Sequence, residues 1–507
     1  MLLFLPVAIL VLTLATLGAS AFQSGFRSSW LVALAGAALA WISLLYLRLQ
    51  LPLTLSFSAW DVGELEYSAT FVLDGLSWPL AFAISSLLVA ALLGGVRNAV
   101  MASWVTWAPG ILITSACLLA SLSGDPVTFL ITWTPVDVIG IAVYLSQLRR
   151  ADERRLVLQQ IPILLLGSFF LLAAWMLSFY GRELAVVLIF VSASLRLGLL
   201  SPAIKVGSPE MQGDPSSVMR LAPLVASLPL LLRADSIAEP VRSTLMLLVL
   251  LPAMYASGRW LPAMEKKEWP IWELGQASLV AAAALGGHGQ AALAFSLVLL
   301  LGQGILPVVQ QAPRYRFLIA VLALILLSGL PLTAATFGSG MYVNWASPLV
   351  FAFLPIQAAL LAGWLLRAAY SPAEPLPPEP WMRSIQWLGY ATLPLILIFL
   401  RIGLLPSQTG DDPALAWWPA VVALLGAGFL SFVFRSGERQ LHPRAELAFG
   451  WVFSLRWLRI LVDRLAEGLR WLLNFLSGLL EGHAGVLWAL LFMALLLSLA
   501  GQYGLGS

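Results

Sequence analysis

The sequence predicts an all-α integral membrane protein of about sixteen transmembrane helices, with two inverted-repeat halves containing broken helices and a C-terminal lateral amphipathic helix. Three observations carry this. Of 507 residues 60% are hydrophobic and only 10% charged, against about 25% charged in an ordinary soluble domain. Apolar runs of about 17 to 24 residues recur along the chain, each long enough to cross a hydrocarbon core about 30 Å thick. Basic and acidic residues also separate onto alternate loops.

In chain order the expected spans are 2 to 20, 30 to 49, 73 to 94, 104 to 122, 127 to 146, 156 to 179, 184 to 201, 217 to 232, 243 to 262, 270 to 287, 290 to 311, 316 to 336, 346 to 369, 385 to 403, 416 to 434 and 485 to 503. The first stretch lacks a basic leader and is followed by equally apolar sequence, so it is expected to be the first span rather than a cleaved signal. Residues 51 to 72 alternate loosely through Leu55, Phe57, Tyr67 and Phe71 and predict a small hairpin. The organisation is read as 1–103, N-terminal helices and hairpin; 104–233 and 234–370, two repeats; 371–449, C-terminal helices; and 450–507, lateral helix and last anchor. In that last region Arg456, Arg459, Asp463, Glu467, Arg470 and Asn474 draw one polar stripe through apolar sequence.

If the spans alternate, one set of loops holds Arg27, Arg97, Arg149, Arg150, Arg154, Arg155, Lys205, Arg259, Lys266, Lys267, Arg314, Arg316, Arg367, Arg383, Arg435, Arg439 and Arg444. The opposite set is acidic, with Asp61, Glu64, Glu66, Asp125, Glu183, Asp235, Glu239, Asp411 and Asp412 and only a few arginines such as Arg48, Arg182, Arg233 and Arg242. By the positive-inside rule the basic loops are cytoplasmic and both termini extracytoplasmic, in a bacterial-type plasma (inner) membrane. The basic pI thus reflects topology, and no nucleic-acid partner is expected. The lone Cys117 forms no intrachain disulfide, and His288, His442 and His483 show no metal-ligand spacing. No cofactor and no metal are expected.

Three stretches resemble the proton-conducting antiporter-like membrane subunits shared by respiratory complex I, membrane-bound hydrogenases and multisubunit cation/proton antiporters. Phe71-Val-Leu-Asp-Gly-Leu-Ser77 resembles the family's lead into its third helix. Pro209-Glu-Met-Gln-Gly-Asp-Pro215, beyond Pro202, resembles the stretch after the first broken helix. Gly329-Leu-Pro-Leu-Thr333 is similar to the signature at the second, which makes Pro202, Gly329 and Pro331 the expected break positions. The resemblance implies partners among the other membrane subunits of a multisubunit redox or transport complex, besides the lipid bilayer itself.

The same alignment implies a degraded proton path. Thr134 stands where the family has a glutamate, and the broken-helix lysine falls near Leu197, beside Arg196. Lys266 and Lys267 keep a basic pair, Glu273 precedes the tenth-helix position held by Gln276, and Leu300, Gly304 and Ser339 replace further titratable groups. Asp137 and Arg196 lie at similar depth in two spans running the same way, about 16 to 18 Å from the acidic face, and are expected to meet as a buried ion pair. Glu273 and Asp74 are expected at the membrane interface. The implied function is an antiporter-like membrane-arm subunit of a complex I-like (NADH-quinone oxidoreductase type) assembly, with a structural role and no catalytic site of its own. The rivals are a working proton or cation/proton subunit of a hydrogenase, antiporter or inorganic-carbon uptake complex, and a permease for a soluble ligand.

Overall fold

The computed structural model describes residues 2–20, 29–62, 65–98, 104–147, 157–158, 160–178, 181–200, 216–234, 237–239, 241–261, 269–310, 316–343, 348–370, 379–403 and 417–440, together with Arg464, Glu467, Gly468 and Trp471. Met1–Leu455 forms one compact unit and Arg456–Ser507 a second. The C-terminal polar stripe and the final expected span fall outside the described residues, except for those four exposed positions.

A helix overlaps each of the first fifteen expected spans. They are α1 (Leu5–Ser20), α2 (Ser29–Arg48), α3 (Ser77–Gly94), α4 (Trp104–Ser121), α5 (Pro126–Gln147), α6 (Ile161–Ser178), α7 (Arg182–Leu197), α8 (Ser216–Leu232), α9 (Val241–Trp260), α10 (Trp269–Leu285), α11 (Gly289–Gln310), α12 (Arg316–Ser328), α13 (Phe353–Tyr370), α14 (Pro380–Gly403) and α15 (Trp418–Gln440). Among the described residues nine helices are long and apolar enough to cross a membrane, and the chain is a multi-pass membrane protein. Its core sits on α3, α10 and the middle of α11, which are buried on almost every side. Helices apolar all round fit that place, because neighbours and lipid both accept apolar surface.

The hairpin is present as β1 (Leu53–Val62) and β2 (Leu65–Leu73), antiparallel, with Leu53 opposite Leu73. The free edge of β2 is taken up by the α4–α5 loop: the Val72 N–H donates to the Leu122 carbonyl (2.6 Å) and the Gly124 N–H to that of Thr70 (2.8 Å). Asp125 then caps α5, accepting from the N–H groups of Val127 (3.0 Å) and Thr128 (2.9 Å) and from the Thr128 hydroxyl. It also accepts from the Thr70 N–H (3.0 Å) and hydroxyl, so one carboxylate ties helix to hairpin.

Asp74 does the same for α3. Its Oδ1 accepts from the N–H groups of Leu76 (3.0 Å) and Ser77 (2.8 Å), while the Asp74 N–H donates to the Ser77 hydroxyl (2.9 Å), a reciprocal cap. Arg233, just past α8, closes the knot by donating to Asp74 Oδ2 (3.2 Å) and to the Ser123 carbonyl.

Two helices stop at left-handed glycines, Gly198 and the expected Gly329. Helix α7 ends on Gly198 (φ +79°), whose N–H donates to the Leu195 carbonyl (3.0 Å) while that of Leu199 donates to Ser194 (2.9 Å). This paired closure needs a left-handed residue and stops the helix four residues before Pro202, which lies outside the described residues. Helix α12 stops at Ser328, and Gly329 takes φ +94° where a Cβ would meet the Ala335 carbonyl at 3.2 Å. Pro331 sits exposed in the turn beyond.

The carbonyls freed at the second break are recaptured. The Thr333 hydroxyl donates to Leu326 (2.8 Å), that of Thr336 to Leu330 (2.6 Å), and the Gln357 amide to Ser328 (3.4 Å). A short 3-10 turn (Ala334–Ser339) and the helix Gly340–Val343 resume the span.

Burial, the largest influence on Asp74 and Asp125, raises both carboxyls, but Arg233 and the Ser77 and Leu76 donors for Asp74, and the Thr128 and Thr70 donors for Asp125, leave both below the ordinary value. Folded pKa values below the unfolded value of about 3.9 mean that this stabilisation is complete above that pH and is lost as pH falls through the folded values. Asp125→Ala is expected to cost about 1–2 kcal/mol, the scale of a lost N-cap, and to flatten that acid dependence. Thermal unfolding in detergent across pH 2 to 7 checks this, and an unchanged midpoint at neutral pH would count against the tie.

Candidate functional site: a buried ion pair and a filled axis

Two regions of the bundle hold the residues singled out by sequence. In the first, Arg196 near the end of α7 reaches α5 and binds Asp137 with both forks, Nη1 to Oδ1 at 2.7 Å and Nη2 to Oδ2 at 2.6 Å. Nη2 also donates to the Ser168 hydroxyl on α6 (3.0 Å). The guanidinium lies 3.7 Å from the centroid of the Trp133 ring, and the Trp133 indole N–H donates to the Ala226 carbonyl of α8 (2.8 Å). The arginine stem packs over Gly167, where a Cβ would stand in ordinary contact, 3.6 Å from Arg196 Cγ. The Ser192 hydroxyl fixes that approach by donating to the Gly167 carbonyl (2.6 Å).

The Arg196 side chain is wholly buried and the Asp137 side chain 15% exposed. A bidentate pair stacked on an aromatic face is the geometry in which a guanidinium tolerates burial. Thr134, one turn earlier on α5, faces outward, its hydroxyl donating to the Leu130 carbonyl (3.1 Å). Its hydroxyl is thus engaged with its own helix.

The second region runs along α10 and α11. Glu273 is 1% exposed and Gln276 2%, so both lie inside the helix bundle. The reason is packing: α9, α11 and α13 enclose the first turns of α10. The Gln276 Oε1 is buried without a hydrogen-bond partner.

Beyond them the axis is filled by apolar groups. Leu300 is fully buried. A Cβ on Gly302 would stand 2.9 Å from Trp272 Cη2, and the Trp364 indole N–H donates to the Gly302 carbonyl (3.3 Å). At Gly304 a Cβ would collide with Leu393 Cδ1 at 2.1 Å, with Leu87 Cδ1 at 3.5 Å. Leu393 comes from α14, and its methyl occupies the space a longer side chain would need.

Trp272 packs edge-on to Trp269 and Trp269 against Trp260, whose ring carries the Arg367 guanidinium at 3.3 Å. Arg367 Nη1 also donates to the carbonyls of Trp260 (2.9 Å) and Gly363 (3.0 Å). Ser339 is buried beside Gly329. Lys205, Lys266 and Lys267 lie outside the described residues. Among the described residues no three His, Cys, Asp or Glu side chains converge as metal ligands.

Sequence reasoning passed over Ser168 and counted Arg367 as a charge of the basic loops, whereas it is buried within α13. The first was signalled by Gly167-Ser168, a small polar step within the otherwise apolar run of α6; the second by an arginine one turn inside the end of a long apolar span.

Neither a protein-family model nor a curated protein sequence matches the chain. Solved structures do. A chain of respiratory complex I from Thermus thermophilus aligns with a TM-score of 0.58 at 18% identity, covering 79% of this chain and 98% of that one. A chain of the membrane-bound sulfane sulfur reductase, an archaeal respiratory membrane complex, gives 0.65 at 14% identity over 97% and 99%. The chain has the antiporter-like subunit fold. A chain of the Mrp complex from Dietzia sp. DQ12-45-1b shares it, with a TM-score of 0.66 at 15% identity over 100% of this chain, which spans 63% of that longer one. Within the antiporter-like fold the described helices thus keep the path of those chains at low identity, while the packing above defines what this sequence puts inside it.

Removing one partner of the pair strands a buried charge, so Asp137→Leu or Arg196→Leu alone is expected to cost about 3–5 kcal/mol and the double replacement much less. Unfolding of the purified single and double variants in detergent measures this. Equal severity of all three would show that the charges do not depend on each other.

Proposed function

We propose that the chain is an antiporter-like membrane-arm subunit of a complex I-like assembly of the NADH-quinone oxidoreductase type, with a degraded proton path and a structural role. It spaces and braces neighbouring membrane subunits, holds no cofactor of its own, and passes few or no protons through its centre. The observation that carries this is the filled axis. A proton wire through hydrocarbon needs titratable or hydrated groups at intervals, and here Leu300, Trp272, Trp364 and the Leu393 methyl at Gly304 occupy that course.

The ion pair supports the same reading. Both forks of Arg196 are committed to Asp137, and arginine gives up no proton at accessible pH. In this reading the two halves, residues 104–233 and 234–370, are inverted repeats whose broken helices each turn on a left-handed glycine, Gly198 and Gly329. The basic loops face the cytoplasm of a bacterial-type cell and both termini the other side. Residues 450–507 supply the lateral brace and final anchor.

A second reading has one observation in its favour. Glu273 and Gln276 are buried three residues apart on α10, and the Gln276 Oε1 has no partner, as expected of a relay that also uses Asp137 and water in a working proton or cation/proton subunit.

The two part on one experiment. In the intact complex reconstituted in vesicles, Asp137→Asn with Glu273→Gln is expected to leave the ratio of protons moved to electrons passed unchanged at wild-type assembly. A clear fall in that ratio would replace the structural reading by the conducting one.

A further inference from the structure

The outward face of α5 does not suit lipid. Ile131 is 49% and Val138 61% exposed, as a lipid-facing surface requires. Between them stand three polar groups. Thr134 is exposed, and its one donor is spent on the Leu130 carbonyl, which leaves its oxygen lone pairs outward. Pro135 has no N–H to give the Ile131 carbonyl one turn earlier. Asp137, 15% exposed beyond its two bonds to Arg196, presents the rest of a carboxylate.

All three lie 6 to 12 residues into a 22-residue helix, hence roughly 9 to 18 Å along it and close to mid-membrane. Elsewhere, mid-span hydroxyls such as Thr114, Thr132, Ser192 and Ser278 are buried. Thr134 and Asp137 thus present acceptors with no donor to offer, and hydrocarbon has none to supply.

We infer that the Ile131–Val138 face of α5 is the docking site for a transmembrane helix of another subunit that presents hydrogen-bond donors (hydroxyl, amide, indole or cationic side chains) at mid-membrane. The inference rests on the proposed membership of a multisubunit complex and adds the face and the chemistry of its partner. Donors there complete the ion pair from outside without altering its charge, and Ile131 and Val138 frame them with apolar contact. Chemistry selects the occupant: an all-aliphatic helix fits the shape but leaves the acceptors unmet.

The test labels single cysteines with a fluorophore at Ile131→Cys, Val138→Cys and, on α2, Leu39→Cys, where the native side chain is 56% exposed, and measures quenching by spin-labelled lipid. In the purified chain all three sites are expected to be quenched alike. In the complex as extracted from its membrane, quenching at 131 and 138 is expected to drop several-fold while 39 is unchanged. A photo-crosslinker at 138 is expected to map to a membrane-spanning helix of a different subunit bearing a donor within one turn of the adduct. Undiminished lipid quenching at 138 in the complex overturns the inference, as does an adduct on an all-aliphatic helix, on a second copy of this chain or on its own residues 456–507. A chain that purifies with no other membrane subunit defeats the proposed function itself; a complex in which 138 still meets lipid defeats only the docking face.

Discussion

Hydrocarbon supplies no hydrogen bonds, and this constraint organises everything described above. Each helix satisfies its own backbone, so places where a helix stops inside the bundle must be repaired by side chains. At the second break the Thr333 and Thr336 hydroxyls and the Gln357 amide reach back to three carbonyls that the interrupted ladder releases. At the first, Gly198 closes the last turn with backbone bonds. The same rule explains why a guanidinium can sit at mid-membrane. Arg196 is surrounded by two carboxylate oxygens, one hydroxyl and an aromatic face.

Much of this was legible in the residues, because the relevant signals are local. Asp-Gly-Leu-Ser was read as the lead into the third helix, and Asp74 caps that helix. The alternation near Leu55 and Phe71 spells a hairpin, and these two residues face each other across it. The meeting of Asp137 with Arg196 followed from counting depth along two helices at 1.5 Å per residue.

What escaped depends on chain segments far apart. Glu273 is enclosed by helices that no window around it contains, and the collision at Gly304 involves Leu393 from another helix. Gly329 was named as a break position, whereas Gly198, whose left-handed closure ends α7, was not. Low identity to the solved chains fits this division: a bundle with the same helix path tolerates many apolar fillings, and the filling decides what can pass.

The knot on the acidic face also sets an order of events during synthesis. Arg233 follows Asp74 by 159 residues, so at about 5–20 residues per second the carboxylate waits roughly 8 to 30 seconds for its cation. During that interval α3 to α7 enter the bilayer with the hairpin held by Asp125, by the Thr128 hydroxyl, by the packing of Phe4 on Phe57 and Phe71 and by the backbone bonds of the α4–α5 loop. The arginine at the end of α8 is therefore the last of these ties to arrive, joining the eighth helix to the start of the third.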